Sequence, residues 1–264
     1  MASTSQHPLS KVEALILSMI GLAGFLGIWL AASMSGTVPR QFLPTPFEVL
    51  ARATHLLTTP FAGATLPMHL ARSLERYSYG VALAASIGVP LGLAMGLYRW
   101  LDDIMTPVFD GLRFIAPIAW VPFAALWFGT GIGGPIMIIF SGAFPPCLMN
   151  AYRGARFVDR RYIEAAQMLG TNSLRTITQV LLPASFPSII AGLRVGAGLG
   201  WQSLVGAELI VASAGVGYMI VQGQSNISTP TVMAGMLAIG LVGLLIDVAL
   251  RQIEARVRRA RGLA

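Results

Sequence analysis

The residues able to do chemistry in this chain are few and scattered. Three histidines, His7, His55 and His69, share no metal-ligand spacing, and no H-E-x-x-H occurs. No nucleophile stands beside a base at a recognisable spacing, so no catalytic residue and no metal-binding or cofactor-binding set is assigned. No G-x-x-x-x-G-K-[ST] loop is present to cradle a nucleotide phosphate. The single cysteine, Cys147, cannot form an internal disulfide and says nothing about redox compartment. Two acids lie well inside apolar stretches. Asp247 precedes Arg251 by four residues, a favourable helical pair read as structural. Glu208 lies near the outer end of a long apolar run, where a carboxylate is costly unless it meets water or a partner. It reads as a gate or packing residue, with direct substrate contact as the alternative.

These residues must be held by membrane helices. Of 264 residues, 55% are hydrophobic and 11% are charged, against roughly a quarter charged in soluble domains. Mean hydropathy is +0.70. A soluble enzyme, a disordered chain and a disulfide-stapled secreted domain are excluded. The net charge of +7 invites nucleic acid, but no basic-aromatic module accompanies it. Six apolar stretches approach the roughly 20 residues that a crossing needs: 14–32, 78–97, 106–128, 134–152, 187–211 and 231–250. Asp110 and Arg113 interrupt the start of the third. The first is preceded by Lys11 and followed by small residues, as a signal peptide would be, but its run exceeds the usual apolar length of about 7–15 residues.

With the amino terminus inside, only Arg40, Arg52, Arg72 and Arg76 of the 18 Lys and Arg residues fall outside, leaving 14 inside. That bias puts both termini in the cytoplasm. The tail bearing Arg251, Arg256, Arg258, Arg259 and Arg261 reads as an anchor on anionic headgroups. Segments 36–77 and 212–230 are external and too broken to cross. The apolar patch at 218–221 suggests a short helix at the outer face.

Glycines recur every fourth residue at Gly88, Gly92 and Gly96, and at Gly192, Gly196 and Gly200. Each set shares a helix face that admits a close neighbour, either for tight packing or for a sliding contact. Prolines at Pro90, Pro117, Pro122, Pro145 and Pro146 remove helical hydrogen bonds. Such breaks suit the wall of a pathway or simple bundle geometry.

The segment 153–186 is too polar to cross. Asp159 caps a helix over 160–169, Gly170 ends it in a left-handed turn, and Thr171 or Asn172 caps a second helix over 173–182 that stops at Pro183. By periodicity this is an amphipathic hairpin. Its literal residues, Glu164-Ala165-Ala166, three residues, Gly170, nine residues, Val180, one residue, Leu182-Pro183, resemble the EAA loop of ABC importer permeases. The sole departure is Val180 in place of isoleucine. Leu112 to Pro122 with Trp127-Phe128-Gly129, Ser73 to Arg76 with Gly88 to Gly92, and Gly192-Leu193-Arg194 with Trp201 and Ala207-Glu208 resemble the nitrate/sulfonate/taurine/bicarbonate branch. The likeness covers about 41–251.

The resemblance implies an all-α, multi-pass permease of the type I importer (MetI-like) fold in a bacterial cytoplasmic (inner) membrane, one domain over 1–264. It implies a second permease subunit in a homodimer, two cytoplasmic ATPase subunits holding ATP-Mg, and an external binding protein. The chain itself would be no enzyme. Glu164, Ala165, Ala166, Gly170, Val180, Leu182 and Pro183 would couple to the ATPase. Pro117, Trp120, Pro122, Ser141, Trp201, Ser203 and Glu208 are the expected pathway residues. A small anion of the sulfonate, taurine, nitrate or bicarbonate kind is the expected cargo, with a thiamine precursor or an aromatic acid as alternatives. An ion-coupled carrier is the rival class, but no inverted repeat is found.

Overall fold

The computed structural model describes residues 10–36, 39, 41–129 and 131–260; His7 and Arg261 lie outside them. Among the described residues the structure is helical, with one isolated β-bridge between Phe61 and Ala64. The helices are α1 (Lys11–Met34), α2 (Pro46–Thr58), α3 (Leu66–Leu97), α4 (Arg99–Leu112), α5 (Val121–Phe128), α6 (Gly133–Arg156), α7 (Arg160–Met168), α8 (Ser173–Thr176), α9 (Leu182–Ile210), α10 (Val216–Ser225) and α11 (Thr229–Ala260).

Local signals set several starts. Ser10 with Glu13 and Thr45 with Glu48 form reciprocal capping boxes at α1 and α2. The outer end of α1 is tied down, because Trp29 Nε1 donates to the Pro44 carbonyl at 3.0 Å and Ser33 Oγ to the Leu43 carbonyl at 2.8 Å. The rest of α1 is exposed and apolar, as a helix facing lipid should be.

The centre is α6, gripped by two glycine faces. A Cβ on Gly92 would strike the Leu148 carbonyl, and one on Gly96 would lie 2.5 Å from Ala155 Cβ. On the other side, a Cβ on Gly192 would lie 2.5 Å from Asn150 Cβ, and one on Gly196 2.8 Å from the Ala143 carbonyl and Cys147 Sγ. Helices approach this closely only where side chains are missing, so both repeats work as packing faces.

These contacts also fix direction. Gly80 meets Ile139 and Gly96 meets Ala155, so α3 and α6 run parallel. Gly134 meets Val211 and Gly154 meets Ser185, so α9 runs opposite. A parallel pair requires the connection between them to return across the membrane. The segment from α4 to α5 therefore crosses, which raises the five long apolar helices among the described residues to six spans. It is not one straight helix, however. The third expected span, 106–128, is two helical pieces bent by 85°, with helix α4 beginning at Arg99 and a 3-10 turn over Pro117–Trp120 before α5. Pro117 and Pro122 each occupy the first turn of a new piece, where a missing N–H is tolerated.

Two further expectations are corrected. The second span begins at Leu66 rather than at 78, because the polar residues His69, Ser73 and Arg76 are buried along α3 instead of lying in a loop. The helix after the cytoplasmic turn does not stop at Pro183. A π turn over Ile177–Leu181 carries α8 directly into α9, and the Leu182 N–H bonds to the Ile177 carbonyl. In a straight α-helix the Pro183 ring would press on the carbonyl four residues back; the wider turn relieves it.

Candidate functional site

Three places on this frame carry polar groups that the packing does not require. The first is a cleft of about 350 Å³ between the α4–α5 break, α6 and α9. Pro117, Ser141 and Ser203 line it, together with Arg113, Gln202, Pro145 and Pro146. Trp120 lines a contiguous cavity beside it with Ser141. The cleft exists because the α4–α5 break and the prolines of α6 prevent continuous ridge-and-groove contact there. Arg113 was placed with the cytoplasmic residues by sequence; it lies instead at the end of α4, against the middle of α6. Arg194 too lies inside a crossing helix, bonded to Asp247 at 3.1 Å and Glu254 at 3.0 Å. Asp247 is thus shared between Arg194 and Arg251, and it ties α9 to α11. The positive-inside bias keeps its sign without these two arginines.

The other expected pathway residues lie elsewhere. Pro122 is exposed and outside the lining of either cavity. Trp201 is buried against α11, donating from Nε1 to the Ile239 carbonyl at 3.2 Å and meeting Tyr77 edge-on. Glu208 belongs to the second place, a buried cluster at the outer end. Its carboxylate accepts from Ser73 Oγ at 2.8 Å, from Arg76 Nη1 at 3.0 Å and from the Gly217 N–H at 3.0 Å. Arg76 also donates to the Ala214 carbonyl, and Ser73 Oγ accepts from the Val216 N–H at 3.0 Å. The Gly215 N–H points at His69 Nδ1, which leaves the proton on Nε2 to donate to the Phe61 carbonyl.

The amino end of α10 thus points at a carboxylate of the same chain, where the helix dipole favours negative charge. Gly215 and Gly217 permit the approach. A Cβ on either would collide with the Glu208 side chain, and Gly215 has φ +115°. The sequence singles out Glu208 but not its partners across the bundle. The available signal was the spacing of His69, Ser73 and Arg76, at i, i+4 and i+7 on one helical face.

The third place is the cytoplasmic hairpin. Asp159 Oδ1 accepts from the Arg161 N–H at 3.0 Å, Gly170 has φ +74°, and Asn172 Oδ1 caps the next turn through the Arg175 N–H at 2.9 Å. All three match the expected caps. Thr171 Oγ1 adds a brace not foreseen, donating to the Ala166 carbonyl at 2.8 Å and lying 3.0 Å from Thr176 Oγ1. Ala166 is buried, whereas Glu164 and Ala165 are exposed, Val180 and Pro183 are half-buried, and Leu182 is 39% exposed. No ion pair among the described residues involves Glu164. Met168 and Leu169 are 87% and 85% exposed.

Residues 88–259 match the family described as "Binding-protein-dependent transport system inner membrane component". The chain is 36% identical over 254 residues to the taurine transport system permease protein TauC of Escherichia coli (strain K12), covering 95% of this chain and 90% of that one. It is 34% identical over 245 residues to the bicarbonate transport system permease protein CmpB of Synechococcus elongatus, covering 90% and 87%. Its fold resembles a chain in inward-facing structures of the MetNI methionine ABC transporter, with TM-score 0.59 and 18% identity over 70% of this chain and 93% of that one.

Proposed function

Because the chain belongs to the family of binding-protein-dependent transport system inner membrane components, we propose that it pairs with a second copy of itself and passes a small anion between the two facing clefts. It is the multi-pass, membrane-spanning subunit of an ABC importer, not itself an enzyme, and the family implies an ATPase and a binding protein as partners. ATP-Mg is bound by the two ATPase subunits in this reading. The cargo is of the sulfonate or bicarbonate kind, as the names of the relatives suggest.

One observation carries the reading: Arg113, Ser141, Gln202 and Ser203 gather in a cleft at membrane depth, where polar groups are expensive and mark a route. The drive reaches it through one helical rod. From Ile177 to Ile210 the helix runs 34 residues, about 50 Å at 1.5 Å per residue. Its lower end leaves the braced hairpin, its upper third carries Gln202 and Ser203, and its upper end carries Glu208. A push by the ATPase on the exposed face around Glu164, Ala165 and Met168 is delivered along this rod. The cleft is displaced, and the outer cluster moves with it. Gly170 and the Thr171 brace keep the hairpin from folding under that load.

Cysteine substitutions test the route. Small aqueous thiol reagents should label Ser141→Cys and Ser203→Cys in the assembled importer and spare Leu17→Cys and Leu241→Cys, which face lipid. Equal protection at all four positions would overturn the pathway assignment.

A further inference from the structure

The cleft has an apolar annex. A second cavity of about 220 Å³ adjoins it, lined by Met105, Phe109, Phe140, Phe144 and Leu148 among others. The two cavities share Arg113, Ser141 and Pro145. Arg113 is the only basic residue lining either one among the described residues, and no acid lines them. Ser141 and Pro145 fall near the middle of α6, at least about 12 Å from either helix end by rise per residue. A cation at that depth is a site by default.

Arg113 is also preorganised. Its Nε forms an ion pair with Asp110 Oδ1 at 2.9 Å, and its guanidinium lies 4.8 Å from the Phe114 ring centroid and 5.9 Å from that of Phe109. One nitrogen is tethered and the plane is set by aromatic faces, while the terminal nitrogens form no hydrogen bond among the described residues. A planar donor pair suits a sulfonate or carboxylate head.

We propose that Arg113 is the anion-contact residue of the pathway, and that the annex beside it selects organic anions with an apolar tail of several carbons. Taurine would place an ammonium group among phenylalanine, methionine and leucine side chains, with no acid lining the annex to pair with it. Bicarbonate would leave the annex empty. The inference rests on the cleft being the pathway, and it adds which residue reads the charge and which cavity reads the tail.

The test uses the complete importer, with its ATPase and binding protein, in nanodiscs of zwitterionic lipid. The readout is protection of Ser141→Cys from an aqueous thiol reagent by hexanesulfonate, ethanesulfonate or taurine. Hexanesulfonate should protect at concentrations at least tenfold below the other two. Arg113→Gln should raise that concentration at least tenfold, and Arg113→Lys should raise it less. Val108→Trp or Met105→Trp, which fill the annex from partly exposed positions, should weaken hexanesulfonate without changing ethanesulfonate. Equal protection by all three anions, or no effect of Arg113→Gln, overturns the proposal. So does protection by added phosphatidylglycerol with none by hexanesulfonate, which would make the annex a lipid site. Failure of Ser141→Cys to label without any anion would instead sink the pathway reading itself.

Discussion

Replacing Arg76 by methionine isolates the outer cluster. Arg76 is 8% and Glu208 2% exposed, and they meet at 3.0 Å. Without Arg76 the Glu208 carboxylate keeps Ser73 and the Gly217 N–H but loses its counter-ion, and the Ala214 carbonyl loses a donor. Removing one partner of a buried ion pair costs about 3–5 kcal/mol. Glu208→Gln in the same chain removes the stranded charge while its amide oxygen still accepts from Gly217. The double variant should therefore recover at least about 1.5 kcal/mol relative to the sum of the single changes, a coupling typical of contacting residues. Equilibrium unfolding in mixed micelles, followed by tryptophan fluorescence, gives these values. Hydrogen exchange at Val216 and Gly217 reports whether α10 loosens first. An Arg76→Met cost under about 1 kcal/mol would refute the reasoning. So would additivity of the two changes within about 0.5 kcal/mol.

Other outcomes follow from the same geometry. Gly92→Ala, whose Cβ would strike the Leu148 carbonyl, should block assembly of α3 on α6. Gly240→Ala, with nothing within 4 Å, should be neutral or stabilising by up to about 1 kcal/mol; protease resistance of the purified protein separates the two. At Gly170 a Cβ meets open space, so the penalty comes from φ alone. Gly170→Val should cost about 1–2 kcal/mol and abolish stimulation of the ATPase by loaded binding protein, while Gly170→Asn should retain most of it. Thr171→Val removes two hydroxyl contacts of the hairpin brace and should lower stimulated transport without lowering ATPase assembly, measured by co-purification. A reporter inserted after Thr58 should be active outside the cytoplasm and one fused after Ala264 inside; a cytoplasmic signal from the first would contradict six crossings.

Much was decided by the sequence alone. Apolar runs of crossing length, the Lys and Arg bias and the glycine spacings are one-dimensional facts, and the membrane makes them nearly sufficient. Each backbone must satisfy itself within a helix, so length and hydropathy already give α1, α6 and α11. The hairpin was legible for a similar reason. Asp159, Gly170 and Asn172 act on amides within a few residues, so their caps need no distant partner. What sequence could not decide depended on residues far apart in the chain. Arg76 and Glu208 are 132 positions apart, and only the packing of α3 beside α9 brings them together. That partnership turned a polar stretch expected in a loop into buried helix. The same holds at Arg113. Its neighbours in sequence placed it at a cytoplasmic edge, but the bend before Pro117 and the cavities beside α6 put it at membrane depth. Trp201 shows the converse, since an aromatic residue expected on the pathway is turned into the core by the packing of α11. Periodicity assigns a residue to a face; which neighbour covers that face is set by the helices around it.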